Sequence, residues 1–176
     1  MTIPFISLQT AWQDATQAVL PAELSPWLLE HASLTARLKR HCQRFRVQLL
    51  QEQRATLPDF LQPMLPDTAI AQVREVILWC DDKPIVYAQS WLPEQTIIDL
   101  RALADVGERP LGDIIFQQPG LVRGPIEVSE IDLALPQLAL MQRCWARRSV
   151  FSLQQHPLLV SEVFLPAISS LHEQHS

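Results

Sequence analysis

Hydrophobic and polar positions change period several times along this chain, and each change marks an element. From Phe45 the period is two: Phe45, Val47 and Leu49 alternate with Arg46 and Gln48, which predicts a strand with one polar side. Residues 73–80 (VREVILWC) and 85–92 (IVYAQSWL) are β-rich runs around Asp81-Asp82-Lys83-Pro84, the composition of a tight hairpin. Residues 121–131, 145–153 and 158–165 supply three more extended runs, the last two joined by Gln154-Gln155-His156-Pro157. Helical spacing appears elsewhere. Ser25 followed by Pro26 reads as an N-cap with proline at the first helical position, and Ser33 as a second N-cap before Leu34, Leu38 and Cys42, so 26–42 form two short helices. Residues 93–106 predict a helix, with Gly107 as its C-cap glycine, and 111–116 a further short one closed by Pro119-Gly120. Pro58, Pro63 and Pro66 mark a connecting loop, and 1–24 is weakly patterned. Strands cluster and helices cluster instead of alternating, which favours an α+β fold with an antiparallel sheet.

Composition narrows the chemistry. The 176 residues, 48% of them hydrophobic, suit one domain over 1–176, without room for separate cofactor and substrate domains. Four glycines include no G-x-G-x-x-G and no G-x-x-x-x-G-K-[ST], so nucleotide-dependent chemistry is disfavoured. Fourteen basic against nineteen acidic residues give a net charge of -5, the wrong sign for phosphate-driven nucleic-acid binding. The one basic stretch, Arg37, Lys39, Arg40, His41, Arg44 and Arg46, reads as a solvated face. Cys42, Cys80 and Cys144 are an odd number without C-x-x-C spacing and read as reduced thiols. His156 falls in a turn and His172 and His175 in a polar tail, away from metal-ligand spacing, so no metal is expected. No basic leader and no long apolar window occurs, so a cytoplasmic protein without membrane contact is expected.

Two charges sit inside apolar strands. Arg74 shares a face with Val76, Leu78 and Cys80, and Glu162 with Leu158, Val160 and Phe164. A buried unpaired ion costs several kcal/mol, so each needs a partner, an edge position or a ligand. They pair with each other, snorkel at sheet edges, or are separated by a small ligand. In the last case the arginine fork takes a carboxylate and the glutamate accepts from a hydroxyl.

The segments WLLEHASLTARL (27–38), REVILWC-DDKP around Arg74, RPLGDIIF around Leu111, WARRS around Arg147 and Arg148, and PLLVSEVFLPA around Glu162 follow one another in a recognisable order. Over about residues 27–166 the chain resembles the chorismate pyruvate-lyase family. The resemblance implies a sheet of about six antiparallel strands with helices on one side, a monomer, and an enclosed site under two helical flaps. It implies conversion of chorismate to 4-hydroxybenzoate and pyruvate, a step towards ubiquinone, with no cofactor or metal. Arg74 and the Leu111 backbone N–H would hold the ring carboxylate, Glu162 would meet the ring hydroxyl, and Leu34 on a flap would cover the ligand. Members often carry an arginine in the strand after the hairpin, where this chain reads Tyr87-Ala88-Gln89-Ser90; Gln89 would then meet the enolpyruvyl carboxylate as a neutral donor. Arg123, Arg147 and Arg148 are the candidates for a second cation. A second reading, a non-catalytic effector-binding domain of related fold, would normally carry a DNA-binding helix-turn-helix, and 24 residues before Ser25 are too few for one.

Overall fold

The computed structural model describes residues 4–171. All strands join one antiparallel sheet. Six are long: β2 (Phe45–Thr56), β3 (Ile70–Cys80), β4 (Lys83–Pro93), β6 (Glu127–Leu135), β7 (Leu140–Leu153) and β8 (His156–Phe164). Two further strands of two residues each, β1 (Gln13–Asp14) and β5 (Val122–Arg123), bring the total among the described residues to eight. The order is β1-β6-β7-β8-β4-β3-β2, with β5 pairing β7. This is the expected α+β architecture with two short additions at one side.

Two of the hairpin turns have two residues each with positive φ at both positions, Asp81 (48°) with Asp82 (69°) and Gln154 (50°) with Gln155 (68°). That backbone matches the twist of the flanking strands, and aspartate tolerates it better than most residues. The first turn joins β3 to β4 and fixes their register. β2 carries a register shift between Leu49 and Gln51. One extra residue on β2 reverses which side chains face which way beyond it.

The helices α1 (Ser25–Leu28), α2 (Leu34–Lys39), α3 (Glu94–Asp99) and α4 (Leu111–Ile115) pack on one sheet face. There Leu28, Leu34 and Leu38 meet Val76, Val86 and Ala88, while Leu111, Ile114 and Ile115 meet Leu92, Phe151 and Leu158. The opposite face is covered by irregular chain. Leu8 joins Tyr87, Ala146 and Val163, and Leu57, Leu61 and Leu65 join Val73, Trp91 and Leu159.

Two helix boundaries differ from the sequence reading. Ser25 is itself the first residue of α1 and makes no cap bond, whereas Ser33 caps α2 as expected, its hydroxyl accepting from the Ala36 N–H (3.1 Å). The helix expected over 93–106 stops at Asp99; Leu100 is extended and a 3-10 turn follows at Arg101–Leu103. Ile97, Leu100 and Leu103 repeat every three residues, which suits a tighter turn than the α-helix. The basic stretch is largely exposed as expected, at Lys39, Arg40, Arg44 and Arg46, although several of its charges are paired. Arg37 pairs with Glu30, Lys39 with Asp113 and Arg44 with Asp82, and His41 is buried.

The cysteine reading is corrected too. Cys42 and Cys80 are joined, their Cα atoms 5.3 Å apart, and only Cys144 is a free, buried thiol. Their separation of 38 residues hid the pairing, because only the β2–β3 ladder brings the end of α2 beside the end of β3.

Candidate functional site

A pocket lies between the helix-covered sheet face and the helices, and its lining includes all four residues singled out in the sequence: Leu34 on α2, Arg74 on β3, Leu111 on α4 and Glu162 on β8. Alternation puts Arg74 with Val76 and Leu78, and Glu162 with Val160, all in the same lining. Arg123 and Arg147 complete the charged groups of the lining.

Arg74 is buried at 3% exposure and does not pair with Glu162, as one reading had it. Its Nη1 donates to the Glu52 carboxylate (3.1 Å) and, in a short bond, to the Gly107 carbonyl. Its Nη2 donates to the Arg109 carbonyl at 2.9 Å. Burial lowers its pKa, while Glu52 opposes that shift. Three of five guanidinium N–H groups are thus engaged by described residues, leaving donors for a ligand carboxylate. Gly107 caps no helix, contrary to expectation, because the helix ends at Asp99 and the following 3-10 turn at Leu103; its φ is nonetheless positive (58°), and its carbonyl becomes a partner of Arg74. Leu111 opens α4, so its backbone N–H has no acceptor within the helix.

Glu162 is held by Arg147, whose Nε donates to Oε1 at 2.9 Å. The second Glu162 oxygen accepts from no described residue, and a carboxylate paired with a guanidinium is an acceptor for a hydroxyl. Arg147, at 1% exposure, also donates from Nη1 to the carbonyls of Trp27 (3.2 Å), Leu28 (3.3 Å) and Glu30 (2.6 Å). It satisfies the open carbonyl end of α1 and fixes that helix above the site.

Arg123 has a different status. It makes no ion pair among the described residues; Nε donates to the Ser149 hydroxyl (3.2 Å) and the guanidinium lies 4.7 Å from the Phe151 ring centroid. Burial, then the charge of Arg147, pulls its pKa down to about 10, with Glu162 and Glu30 opposing. It remains a cation at neutral pH. The chain reaches it through a close approach: the Gly124 N–H donates to the Val150 carbonyl (2.8 Å), and a Cβ on Gly124 would lie 2.9 Å from that oxygen. The pocket therefore holds three guanidiniums against two contacting carboxylates, Glu52 and Glu162, within a protein of net charge -5.

The other second-cation candidate, Arg148, points to the opposite face, where it pairs with Glu127 and covers the Trp12 ring. Gln89 also faces away from the pocket. Its Nε2 donates to the Ile6 carbonyl (2.7 Å) and to the Tyr87 hydroxyl (3.1 Å), and its Oε1 accepts from Trp91 Nε1 (2.9 Å). Ala88 and Ser90, its neighbours on β4, line the pocket instead. The expected meeting of Gln89 with a ligand carboxylate is thus ruled out by alternation.

Two helices close the cover. α2 supplies Leu34 and Thr35, and α4 supplies Leu111 and Gly112. They touch where a Cβ on Gly112 would lie 3.2 Å from the Thr35 hydroxyl, and Lys39 bonds Asp113 at 2.7 Å. Glu52 was invisible in the sequence because the β2 bulge, which a local pattern does not register, turns it towards Arg74. His172 and His175 lie outside the described residues. No helix among the described residues is long and apolar enough to cross a membrane.

Comparison with known proteins agrees with this fold. Among solved structures, the effector domain of PhnF from Mycobacterium smegmatis shares the fold, with a TM-score of 0.59 at 15% identity, covering 78% of this chain and 91% of that one. The C-terminal domain of the histidine utilization repressor from Pseudomonas syringae gives 0.54 at 12% identity, covering 76% and 97%. At such identities the likeness is one of fold alone. Sequence relatives are nearer. The probable chorismate pyruvate-lyase of Pseudoalteromonas translucida is 43% identical, over 94% of this chain and 97% of its own length. The chorismate pyruvate-lyase of Pectobacterium atrosepticum is 35% identical over 89% and 84%. A family model described as chorismate lyase matches residues 6–175, a span that takes in the sheet, both covering helices and every lining residue of the pocket, so the chain belongs to the chorismate lyase family.

Proposed function

We propose that the pocket binds chorismate and that the protein is a chorismate pyruvate-lyase, releasing 4-hydroxybenzoate and pyruvate at the entry to ubiquinone synthesis. The observation that carries this reading is the charge pattern of the lining: three arginines, one of them without an ion pair among the described residues, beside a carboxylate with one open oxygen. A dianion bearing a hydroxyl complements that set. Arg74 and the Leu111 N–H take the ring carboxylate, and Glu162 accepts from the ring hydroxyl. Leu34 covers the ring, and Arg123 attracts the enolpyruvyl carboxylate.

The reaction breaks the carbon–oxygen bond between ring and enolpyruvyl group and the C–H bond at the hydroxyl-bearing carbon. The ring becomes aromatic, and the displaced group ends as pyruvate with one added hydrogen on its methyl carbon. Aromatisation makes this strongly downhill, so confinement and desolvation in a reactive geometry supply the catalysis, without cofactor or metal. We also propose that the protein acts as a single-domain monomer in the cytoplasm, without nucleic-acid or membrane partners.

Purified protein is mixed with chorismate and followed by pyruvate formation and 4-hydroxybenzoate absorbance. Turnover is expected, with a loss of about 100-fold or more in kcat/KM for Arg74→Ala, since a buried bidentate contact to the substrate disappears. Absence of product would overturn the reading. Deuterium at the hydroxyl-bearing carbon decides the hydrogen's path: label in the pyruvate methyl means direct transfer, and label in solvent means passage through an exchanging base such as Glu162. The fold shared with regulator effector domains favours one rival, in which 4-hydroxybenzoate binds and chorismate is not consumed.

A further inference from the structure

The Cys42–Cys80 pair stands at the point where the cover joins the sheet. α2, which places Leu34 and Thr35 on the pocket, ends at Lys39, and β2 begins at Phe45 opposite Cys80. Residues 40–44 are therefore the connection about which α2 must turn if it is to swing off the site. That connection is held from two directions. The Asp81 carboxylate accepts from the backbone N–H groups of Gln43 (3.0 Å) and Arg44 (2.8 Å), and Cys42 is tied to Cys80. His41, just before Cys42, is buried with its ring 4.9 Å from Trp27 on α1.

The pair also has a place for its reduced form. Both sulfurs lie near the Leu38 carbonyl in the last turn of α2, at 3.0 Å for Cys42 and 3.7 Å for Cys80, so a thiol at either position has an acceptor without moving. The Cα separation of 5.3 Å is within the range a disulfide spans. In reducing compartments, cysteine pairs that do join are mostly transient and redox-sensing. The third cysteine differs. Cys144 lies on β7 on the opposite sheet face, where burial pushes its thiol up to about 11.

We propose that Cys42–Cys80 is a redox site that sets the mobility of the cover: joined, it locks the 40–44 connection and retains the bound aromatic product; reduced, it lets α2 open. The oxidant class is a small-molecule disulfide such as oxidised glutathione. The thiolate of Cys42, the more exposed of the two at 8% against 0%, attacks one glutathione sulfur and releases one reduced glutathione. The Cys80 thiolate then attacks the Cys42 sulfur and releases the second. Two thiol protons and two electrons leave the protein and appear on two molecules of reduced glutathione.

The effect on product rests on the lyase reading, and the redox site itself does not, so the experiment reads them separately. Full-length protein is equilibrated with oxidised glutathione or with dithiothreitol, and its thiols are counted after denaturation. One thiol, Cys144, is expected in the first case and three in the second, with no glutathione adduct by mass. Three thiols under both conditions, or a stable adduct, would overturn the site. Dissociation of 4-hydroxybenzoate is then measured by stopped flow in each form. Dissociation about threefold or more slower in the joined form is expected, and the difference should vanish in Cys42→Ser and in Cys80→Ala. Equal rates in the two native forms would overturn the link to the cover. Failure of chorismate turnover with 4-hydroxybenzoate still bound would leave both measurements valid and would count only against the lyase reading.

Discussion

Gln89 and Arg123 show how a single residue's direction decides its role. Gln89 is 3% exposed and spends both ends of its amide on Ile6, Tyr87 and Trp91, tying the N-terminal chain to the far side of the sheet. Glu75 accepts from the Ile6 N–H (3.0 Å) beside it, and burial with the nearby Glu75 charge raises the Tyr87 pKa, so that hydroxyl stays a donor. Gln89→Ala should cost about 2 kcal/mol in urea unfolding by leaving buried partners unsatisfied, with kcat/KM within about twofold of the native value. A large fall in kcat/KM at unchanged stability would place Gln89 in the site after all. Arg123 is the opposite case. A base whose folded pKa is lowered, here to about 10, carries a charge the fold does not favour, and that cost is fully present at pH 7 and is lifted only as pH rises above about 10. Arg123→Met should therefore raise unfolding free energy by about 1 kcal/mol in the empty protein, after discounting for partial exposure, while weakening chorismate binding about tenfold or more. Loss of stability with unchanged KM would show that Arg123 serves the fold and not the substrate.

At the scale of elements, what could be read from the chain was what alternation and caps encode locally. Arg74 and Glu162 were legible because each sits in phase with apolar neighbours; for Leu111 and Leu34 only the helices that carry them were legible, after Pro110 and behind the Ser33 cap, and their place in the site came from the family resemblance alone. Features set by pairing between distant strands were not. The bulge at Leu50 shifts Glu52 into phase with Arg74, although the run from Phe45 puts odd-numbered residues on that face. β1 is two residues long and carries no period at all, the single run expected over 121–131 is broken at residues 124–126 into β5 and β6, and Cys42 meets Cys80 only through the ladder. The contact between the covering helices is likewise a matter of placement. Lys39 and Asp113 are 74 positions apart and meet at 2.7 Å, with side chains 45% and 33% exposed, so the pair is worth only about 0.5 kcal/mol. Lys39→Glu should speed 4-hydroxybenzoate dissociation about two- to threefold and make it less salt-dependent, and the charge-exchanged double variant Lys39→Asp with Asp113→Lys should restore the native rate. A double variant no slower than the single one would assign the effect to something other than the ion pair.

At the scale of the whole molecule, the proposed site lets the product meet every anchor of the ring that the substrate would meet. Aromatisation leaves the ring carboxylate and the hydroxyl in place, so in that proposal Arg74, the Leu111 N–H and Glu162 lose nothing when pyruvate departs. Only Arg123 loses its proposed partner. The cover is fixed at three points: Arg147 on the carbonyl end of α1, the Lys39–Asp113 pair between α2 and α4, and the Cys42–Cys80 link below α2. Where confinement makes bond breaking faster than the motion of this cover, the slow step falls at release, which is the outcome we expect. Rapid mixing with excess chorismate should then show a burst of 4-hydroxybenzoate close to one equivalent per chain, followed by a slower linear phase equal to the measured dissociation rate. The same retention should raise thermal stability, since a ligand held at 100 times its Kd adds about 2.7 kcal/mol to the folded state. A linear time course from the first turnover, with no burst, would mean that the bond-breaking step limits the rate and that the cover opens freely.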